Sequence, residues 1–311
     1  MLDLTKYAQQ NGWYKQFLPL AFKINDYQGR VYGIPTIVMG MGVFYRKDIF
    51  AQYHIAIPQT FDQFVAALAT LKSHGIIGVS MGGVGSWLTM RLTDALLEHY
   101  AGPALNDKIQ SRHASWNSKP VIQSFTTLKE WAEKGYFTPG FLSINPQDDE
   151  IPWMQGKAAM VFEGPWVDSQ LITSHQNLGK YGFFPFPEGQ TPNRLSVFAQ
   201  QIMIASRCQH VPEALDFIEY MTSKANLSKY AAVLPGPFAR IGVSNPGQPH
   251  TAQIKSLLLN ATNFYMPTDQ NLPETLVQRF FQGQDSVVAG TMTPAQAASF
   301  IQQQIDSYHG S

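Results

Sequence analysis

The chain of 311 residues carries 22 basic and 22 acidic side chains, and its length predicts about two domains. Charged residues make up only 14% of the chain and form no basic run, which argues against nucleic acid or an anionic membrane as a partner. The single cysteine, Cys208, excludes an internal disulfide and a cysteine metal site.

Helical and strand-like patterns alternate along the chain. Residues 4–18 predict two short helices separated at Gly12, and residues 29–50 form a β-rich stretch. Thr60 and Gln63 have the spacing of a capping box at the start of a helix. Further predicted elements are strands at 76–80, 158–162, 181–187 and 197–206, and helices at 87–102, 119–135, 210–233 and 293–308. This alternation predicts an α/β fold with a largely parallel sheet.

The stretch GKAAMVFEGPW, residues 156–166, places a strand directly before a Gly-Pro corner and a tryptophan. The residues AAMVF read as a short buried strand, and Glu163 follows it. Turn chemistry explains Gly164 and Pro165 but not the large aromatic side chain of Trp166 behind them. In α/β folds, ligands bind beyond the carboxyl ends of strands, and this corner lies at such an end.

Motifs for catalysis or metal binding are weak in this chain. Residues 78–82, GVSMG, match the nucleophile elbow of serine hydrolases, but glycines separate Ser80 from the next helix and no later histidine has a recognisable setting. The histidines lack metal-binding spacing, and the carboxylates at 148–150 suit the first turn of a helix better than a calcium loop. We therefore expect a binding protein that is not an enzyme, with no cofactor and no metal. An esterase built on Ser80 is the alternative from another class.

Segments spread over the whole chain resemble bacterial extracellular solute-binding proteins of ABC sugar importers (family 1, similar to maltose-binding protein). They are YGIPT and GVFYRKDIF within 32–50, GKAAMVFEGPW, YGFFPFP, FAQQIMIAS, PEALDFIEYMTS and MTPAQAASFIQQQID. The resemblance implies an α/β fold of the type II periplasmic-binding-protein-like class, with two lobes joined by crossing hinge strands. Lobe one would comprise residues 1–40 and 184–240, and lobe two residues 41–183 and 241–311. The third crossing would lie at Leu234-Pro235.

The chain begins late relative to that family. MLDLTKY resembles a stretch that follows a signal peptide and a first strand-helix-strand unit, so we expect lobe one to be incomplete through a truncated gene, a mis-called start or a fragment. The charged first residues show no signal peptide in the chain as given. The resemblance still implies an extracytoplasmic location, in the periplasm or anchored at the cell surface.

The resemblance also implies a trap that closes on a mono- or oligosaccharide and is then recognised by the permease subunits of an ABC transporter. A pyranose ring needs an aromatic plate for its C–H face and hydrogen-bonding groups for its hydroxyls, which makes Trp166 the predicted plate. The predicted ligand-binding residues are Trp166, Glu163, Gly164, Met39, Gly40, Trp87, Gln200, Gln201 and Asn263. Met39 stands where the family often has a carboxylate, and Gln200 and Gln201 stand where it often has glycines and an aromatic residue.

Two alternatives within binding proteins stay open. One is a non-sugar ligand such as a polyamine, iron or an anion, although cations need clustered carboxylates and anions need arginine or helix N-termini. The predicted site residues are mostly neutral or aromatic, which favours sugar. The other alternative is a truncated remnant that binds nothing. We expect the chain to be a monomer.

Overall fold

A computed structural model describes residues 1–189, 194–260 and 264–309, which divide into two compact units. Unit 1 comprises Met1–Gly40, Gly164–Leu178 and Val197–Thr262. Unit 2 comprises Met41–Glu163, Gly179–Ser196 and Asn263–Ser311. Neither unit is continuous in sequence, so the core of each one is built from segments that lie far apart along the chain.

The predicted lobes divide the chain differently after Gly40. They assign 164–178 and 241–262 to lobe two, whereas both segments belong to unit 1, and they assign 184–196 to lobe one, whereas this segment belongs to unit 2. Leu234-Pro235 lies inside unit 1 rather than at a change of unit. The chain therefore changes unit five times instead of three, because short segments such as 164–178 pack with distant parts of the sequence.

The strands are short except for two. They are β1 Asp26–Tyr27, β2 Arg30–Val31, β3 Gly33–Gly40, β4 Gly42–Arg46, β5 Ile77–Ser80, β6 Ala158–Glu163, β7 Tyr181–Phe184, β8 Leu195–Met203 and β9 Phe264–Tyr265. The helices are α1 Thr5–Gln10, α2 Trp13–Gln16, α3 Pro19–Ile24, α4 Lys47–Gln52, α5 Phe61–Ser73, α6 Trp87–Gln110, α7 Lys119–Glu133, α8 Glu150–Met154, α9 Val167–Thr173, α10 Val211–Thr222, α11 Lys224–Tyr230, α12 Pro249–Asn260, α13 Thr268–Asn271, α14 Glu274–Val288 and α15 Pro294–Asp306.

Pairing between strands is mixed, so the expectation of a largely parallel sheet is wrong. In unit 1, β3 pairs antiparallel with residues 197–203 of β8. In unit 2, the sheet has the order β5-β6-β4-β7, in which β5 and β6 are parallel but β4 is antiparallel to both of its neighbours. The parallel rule applies to strands joined by a helical crossover within one sheet. β5 and β6 are joined by helices and are parallel, whereas β4 follows β3 of the other unit after one residue and enters its sheet without a helical crossover.

Local capping signals in the sequence are confirmed. The hydroxyl of Thr60 accepts a hydrogen bond from the N–H of Gln63 at the start of α5, and Thr293 and Gln296 form a full capping box at α15. The helix predicted over 210–233 is instead two helices, because Ser223 has an extended backbone and caps α11. Since each cap involves residues only three positions apart, sequence alone places these helix starts well.

Each unit has its own apolar core. In unit 2, the helices α6, α7, α14 and α15 enclose a cluster that includes the fully buried Trp116, Phe125 and Phe280. In unit 1, a smaller cluster lies on one face of the β3 and β8 pair, and its buried members are Ile37, Met39, Leu227, Ala231, Phe238 and Val243. No helix in the described part of the chain combines the length and the apolar character that crossing a bilayer requires.

Candidate functional site

The corner after β6 belongs to unit 1 and is built around close packing of an indole on a glycine. A Cβ atom added at Gly164 would overlap Cζ3 of the Trp166 ring, so no other residue leaves space for this ring position. The backbone of Gly164 is not in the left-handed region. The glycine is therefore required for its missing side chain and not for conformational freedom. The contact explains why a glycine stands two residues before this tryptophan.

Polar contacts hold this corner to the start of α12. Asp168, fully buried, lies 2.5 Å from Nδ1 of His250 through one oxygen and accepts the N–H of Thr251 at 2.8 Å through the other. The hydroxyl of Thr251 donates to the carbonyl oxygen of Pro165 at 3.1 Å. The carbonyl oxygen of Trp166 accepts the hydroxyl of Ser169 at 2.7 Å. These hydrogen bonds fix the backbone from which the indole projects.

Trp166 is half-buried and packs against the apolar cluster of unit 1, together with Phe198. Phe198 lies opposite Met39 in the β3 and β8 pair, and Gln200 lies opposite Ile37. Because side chains two apart on a strand share a face, the exposed amide of Gln200 lies on the same side as Phe198. We call Met39, Trp166, Phe198 and Gln200 the aromatic patch of unit 1. Phe198 is not among the ligand-binding residues predicted from the sequence. It stands two residues before Gln200, and on a strand this spacing puts both side chains on one face.

The other predicted residues of unit 1 lie elsewhere. Gly40 packs against α12, where an added Cβ would lie 3.0 Å from Cγ2 of Ile254. The side chain of Gln201 covers Gly33, on the opposite face of the strand from Gln200. The structure therefore joins Met39 and Trp166 in one cluster, packs Gly164 against the indole, and places Gln200 on the strand face of Phe198. Gly40 and Gln201 lie outside that patch.

Trp87 is half-buried in unit 2 and begins α6 directly after a strained residue. Ser86 has φ of 62°, a left-handed conformation that is uncommon for residues other than glycine, and its hydroxyl donates to Oδ2 of Asp285 at 2.5 Å. The hydrogen bond fixes the backbone from which Trp87 projects. Asn263 lies outside the described residues.

Ser80 has the environment of a structural serine. It is fully buried, and its hydroxyl donates to the carbonyl oxygen of Asp149 at 2.5 Å and lies 3.0 Å from the hydroxyl of Thr138. A serine nucleophile needs a histidine base and access to substrate. Among the hydrogen bonds of the described residues, none joins Ser80 to a histidine.

Glu163, the last residue of β6, belongs to an acidic cluster within unit 2. Oxygen atoms of Asp149, Glu150 and Glu163 lie within 4.8 Å of one another, and all three residues are at most 1% exposed. Burial raises the pKa of Asp149 to about 8 and that of Glu150 to about 9, and a neighbouring carboxylate adds to each rise. Glu150 does stand in the first turn of α8 as the sequence predicts, but Asp149 makes no side-chain capping hydrogen bond there.

The contact between Gly164 and Trp166 makes a direct prediction about stability. The Gly164→Ala substitution should lower the free energy of unfolding by about 1–3 kcal/mol, because the added methyl group displaces the indole from a packed position. Urea denaturation of the Gly164→Ala, Trp166→Ala and double variants measures the coupling between the two residues. The cost of Gly164→Ala should largely disappear in the Trp166→Ala background. An equal cost in both backgrounds would show that the glycine serves another purpose.

Comparison with known proteins assigns this chain to a family. The profile of the family described as bacterial extracellular solute-binding protein matches residues 1–227. The chain belongs to this family. Members of this family are extracellular or periplasmic solute-binding proteins that serve transport and are not enzymes.

Curated relatives of this solute-binding protein are identical to it at about a quarter of the aligned positions. The multiple sugar-binding protein of Streptococcus mutans is 25% identical over 241 residues, which cover 74% of this chain and 56% of the relative. The maltodextrin-binding protein MdxE of Bacillus subtilis is 26% identical over 210 residues, which cover 64% of this chain and 47% of the relative. The chain thus spans about half the length of these curated relatives.

Solved structures confirm the predicted type II periplasmic-binding-protein-like α/β fold. A chitin oligosaccharide binding protein matches with a TM-score of 0.88 at 23% identity, covering 98% of this chain and 78% of that protein. The maltose-bound MalE3 of T. maritima matches with a TM-score of 0.81 at 19% identity, covering 98% of this chain and 80% of that protein. At these identities the likeness establishes the fold and leaves the ligand to be argued from the site.

Proposed function

We propose that this solute-binding protein is the carbohydrate-binding component of an ABC importer. The observation that carries the proposal is the aromatic patch of unit 1, in which the half-buried rings of Trp166 and Phe198 pack against one cluster and the exposed Gln200 lies on the same strand face as Phe198. Two of the relatives are named as a multiple sugar-binding protein and a maltodextrin-binding protein, and these names support a sugar as the ligand class.

The patch has the chemistry that a pyranose ring requires. One face of a pyranose is lined by C–H groups that pack on an aromatic ring, and the ring edge carries hydroxyls that pair with amides. Burying one face of the Trp166 indole contributes roughly 1.5–3 kcal/mol through the apolar area removed from water. The patch carries no charged side chain, since its members are methionine, tryptophan, phenylalanine and glutamine. Polyamines, metal ions and anions need charged partners, so the patch favours a neutral ligand over these.

Transport requires that the bound state differ from the free state in a way a permease recognises. We propose that sugar contacts made by both units favour a closed arrangement, which shifts the population of the protein toward the form that the permease subunits bind. Trp166 and Gln200 supply the contacts of unit 1, and Trp87 is the proposed contact of unit 2. The proposed location is extracytoplasmic, and the proposed state is a monomer.

Isothermal titration calorimetry of the purified chain against a sugar panel tests the proposal. The panel contains glucose, galactose, xylose, maltotriose, melibiose, raffinose and chitobiose, with spermidine and phosphate as charged controls. Saturable binding of at least one neutral sugar, without binding of the charged controls, is the expected result. Binding of spermidine or phosphate alone would replace the sugar proposal with the non-sugar alternative.

A second candidate, a chain that does not bind sugar by itself, is favoured by the surface of α10. Phe217 and Tyr220 are 58% and 63% exposed on this helix, and large apolar side chains at such exposure mark a surface that other protein normally covers. A chain that unfolds cooperatively yet shows no heat with any sugar of the panel would support this candidate. Saturable sugar binding by the same preparation would exclude it.

A further inference from the structure

Three buried carboxylates converge in unit 2 where β6 ends. Glu163 is the last residue of β6, while Asp149 and Glu150 lie at the start of α8, 13 or more positions earlier in the chain. Asp149 is fully buried, and Glu150 and Glu163 are each 1% exposed. Burial of this much formal negative charge is costly unless protons or a cation compensate it.

The spacing of the carboxylate oxygens matches one coordination shell. One oxygen from each residue lies within 4.8 Å of the others. Two oxygens that ligate the same Ca²⁺ at about 2.3–2.6 Å are separated by no more than about 5 Å, the value reached when they lie on opposite sides of the ion. All donors are hard oxygen atoms, the type that calcium prefers, and nitrogen or sulfur donors are not part of the group.

Asp149 gives a second and separate indication of a ligand. Neither of its carboxylate oxygens has a hydrogen-bond partner within the described part of the chain, although the residue is fully buried. The backbone N–H groups of Gly82 and Glu150 and the side chain of Glu163 lie close enough to lower the pKa of this carboxyl, but none of them forms a hydrogen bond of standard geometry with it. Buried carboxylates in native proteins are normally satisfied by donors, water or an ion. One oxygen of Asp149 lies within 4.8 Å of an oxygen of Glu150 and of Glu163, so an ion bound to it would lie inside the cluster.

The surrounding backbone holds this carboxylate in place. An added Cβ at Gly82 would lie 2.7 Å from the carbonyl oxygen of Asn145, so the segment after β5 packs directly on the segment that leads into Asp149. The hydroxyl of Ser80 fixes the carbonyl oxygen of Asp149. The position of the carboxylate is therefore set by two neighbouring segments, as a preorganised ligand requires.

We propose that Asp149, Glu150 and Glu163 bind a divalent cation of the calcium type. The ion is coordinated by one oxygen or more from each residue, with water or backbone oxygens completing the shell. It ties the start of α8 to the end of β6 and so stabilises unit 2 independently of any sugar. This role differs from the sequence-based expectation of a chain without metal, because the sequence separates Glu163 from the two other ligands.

Equilibrium dialysis and thermal unfolding of the full chain test the site. The protein is stripped with EDTA, exchanged into chelator-free buffer, and then examined with Ca²⁺ and, separately, with Mg²⁺ as the added probe. We expect saturable binding of about one Ca²⁺ per chain and a rise in Tm of at least about 3 °C at saturating Ca²⁺. Mg²⁺ should bind at least about tenfold more weakly, since it demands shorter and more regular coordination.

Variants separate the site from adventitious binding at the surface. Asp149→Asn and Glu163→Gln should each weaken Ca²⁺ binding at least about tenfold and abolish the Ca²⁺-dependent rise in Tm, while their unfolding in metal-free buffer shows that they are folded. Asp62→Asn, which removes an exposed carboxylate of the same unit, should behave as the unaltered chain. The proposal is overturned if the stripped chain binds no Ca²⁺ and its Tm does not change when Ca²⁺ is added, since protons alone then neutralise the cluster. It is equally overturned if both variants retain full binding; should one variant fail to fold, the other decides.

Discussion

Replacing Trp166 with alanine is expected to weaken sugar binding by about tenfold to a hundredfold. The estimate follows from the roughly 1.5–3 kcal/mol that an aromatic face contributes when a sugar ring covers it, since 1.4 kcal/mol corresponds to tenfold in affinity. The half-buried indole packs against the same cluster as Phe198, so its exposed part is the part available to a ligand. Titration calorimetry with the tightest sugar of the panel measures the change.

Two further variants show whether the loss belongs to the indole face. Trp166→Phe keeps an aromatic face of smaller area and should retain part of the affinity. Tyr27→Ala removes another aromatic side chain of unit 1, one that is 63% exposed and lies away from the patch, and should leave affinity unchanged. An unaltered dissociation constant for Trp166→Ala, in a protein that still unfolds cooperatively, would remove this residue from the site.

The largest loss of stability is expected for Arg194→Met in unit 2. Arg194 is 1% exposed, donates two hydrogen bonds of 2.8 and 3.0 Å to the fully buried carboxylate of Glu98, and donates two more of 3.0 and 2.7 Å to Asp107. Removing the guanidinium leaves the Glu98 charge buried without its partner, which costs about 3–5 kcal/mol of unfolding free energy. Burial and the charge of Glu98 raise the pKa of the neighbouring buried Glu188, and the charge of Arg194 lowers it, so removing Arg194 should raise this pKa further.

Urea denaturation, monitored by a signal from unit 2, measures this loss of unfolding free energy. Arg30→Met is the matched control, because Arg30 forms an exposed ion pair of 3.4 Å with Asp3 and should cost no more than about 1 kcal/mol. The double variant Arg194→Met/Glu98→Gln should recover part of the loss, since it removes the orphaned charge. Equal, small costs for Arg194→Met and Arg30→Met would show that the buried network contributes nothing net.

Features that depend on neighbours a few residues apart follow from the sequence. Thr60 with Gln63 and Thr293 with Gln296 are capped as predicted, because a cap joins a side chain to a backbone group three positions on. The strand before the Gly-Pro corner is also present, as β6. Family membership follows in the same way, since its motifs are contiguous stretches of the chain.

The sites required longer-range information. Phe198 joins Trp166 only because β8 pairs with β3 in a particular register, and no local pattern specifies that register. Asp149 and Glu163 are predicted separately, as a helix-start carboxylate and as a sugar ligand, and only the packing of α8 on β6 brings them together.

The sequence by itself determines the α/β class, the family and the starts of several helices, among them α5, α7 and α15, because these depend on periodicity and on contacts within a few residues. The tertiary structure decides the membership of each unit, the antiparallel pairing of β4, the aromatic patch and the acidic cluster. The physical reason is that each of these four features joins residues far apart in the chain, through packing and hydrogen bonds that no short stretch of sequence encodes.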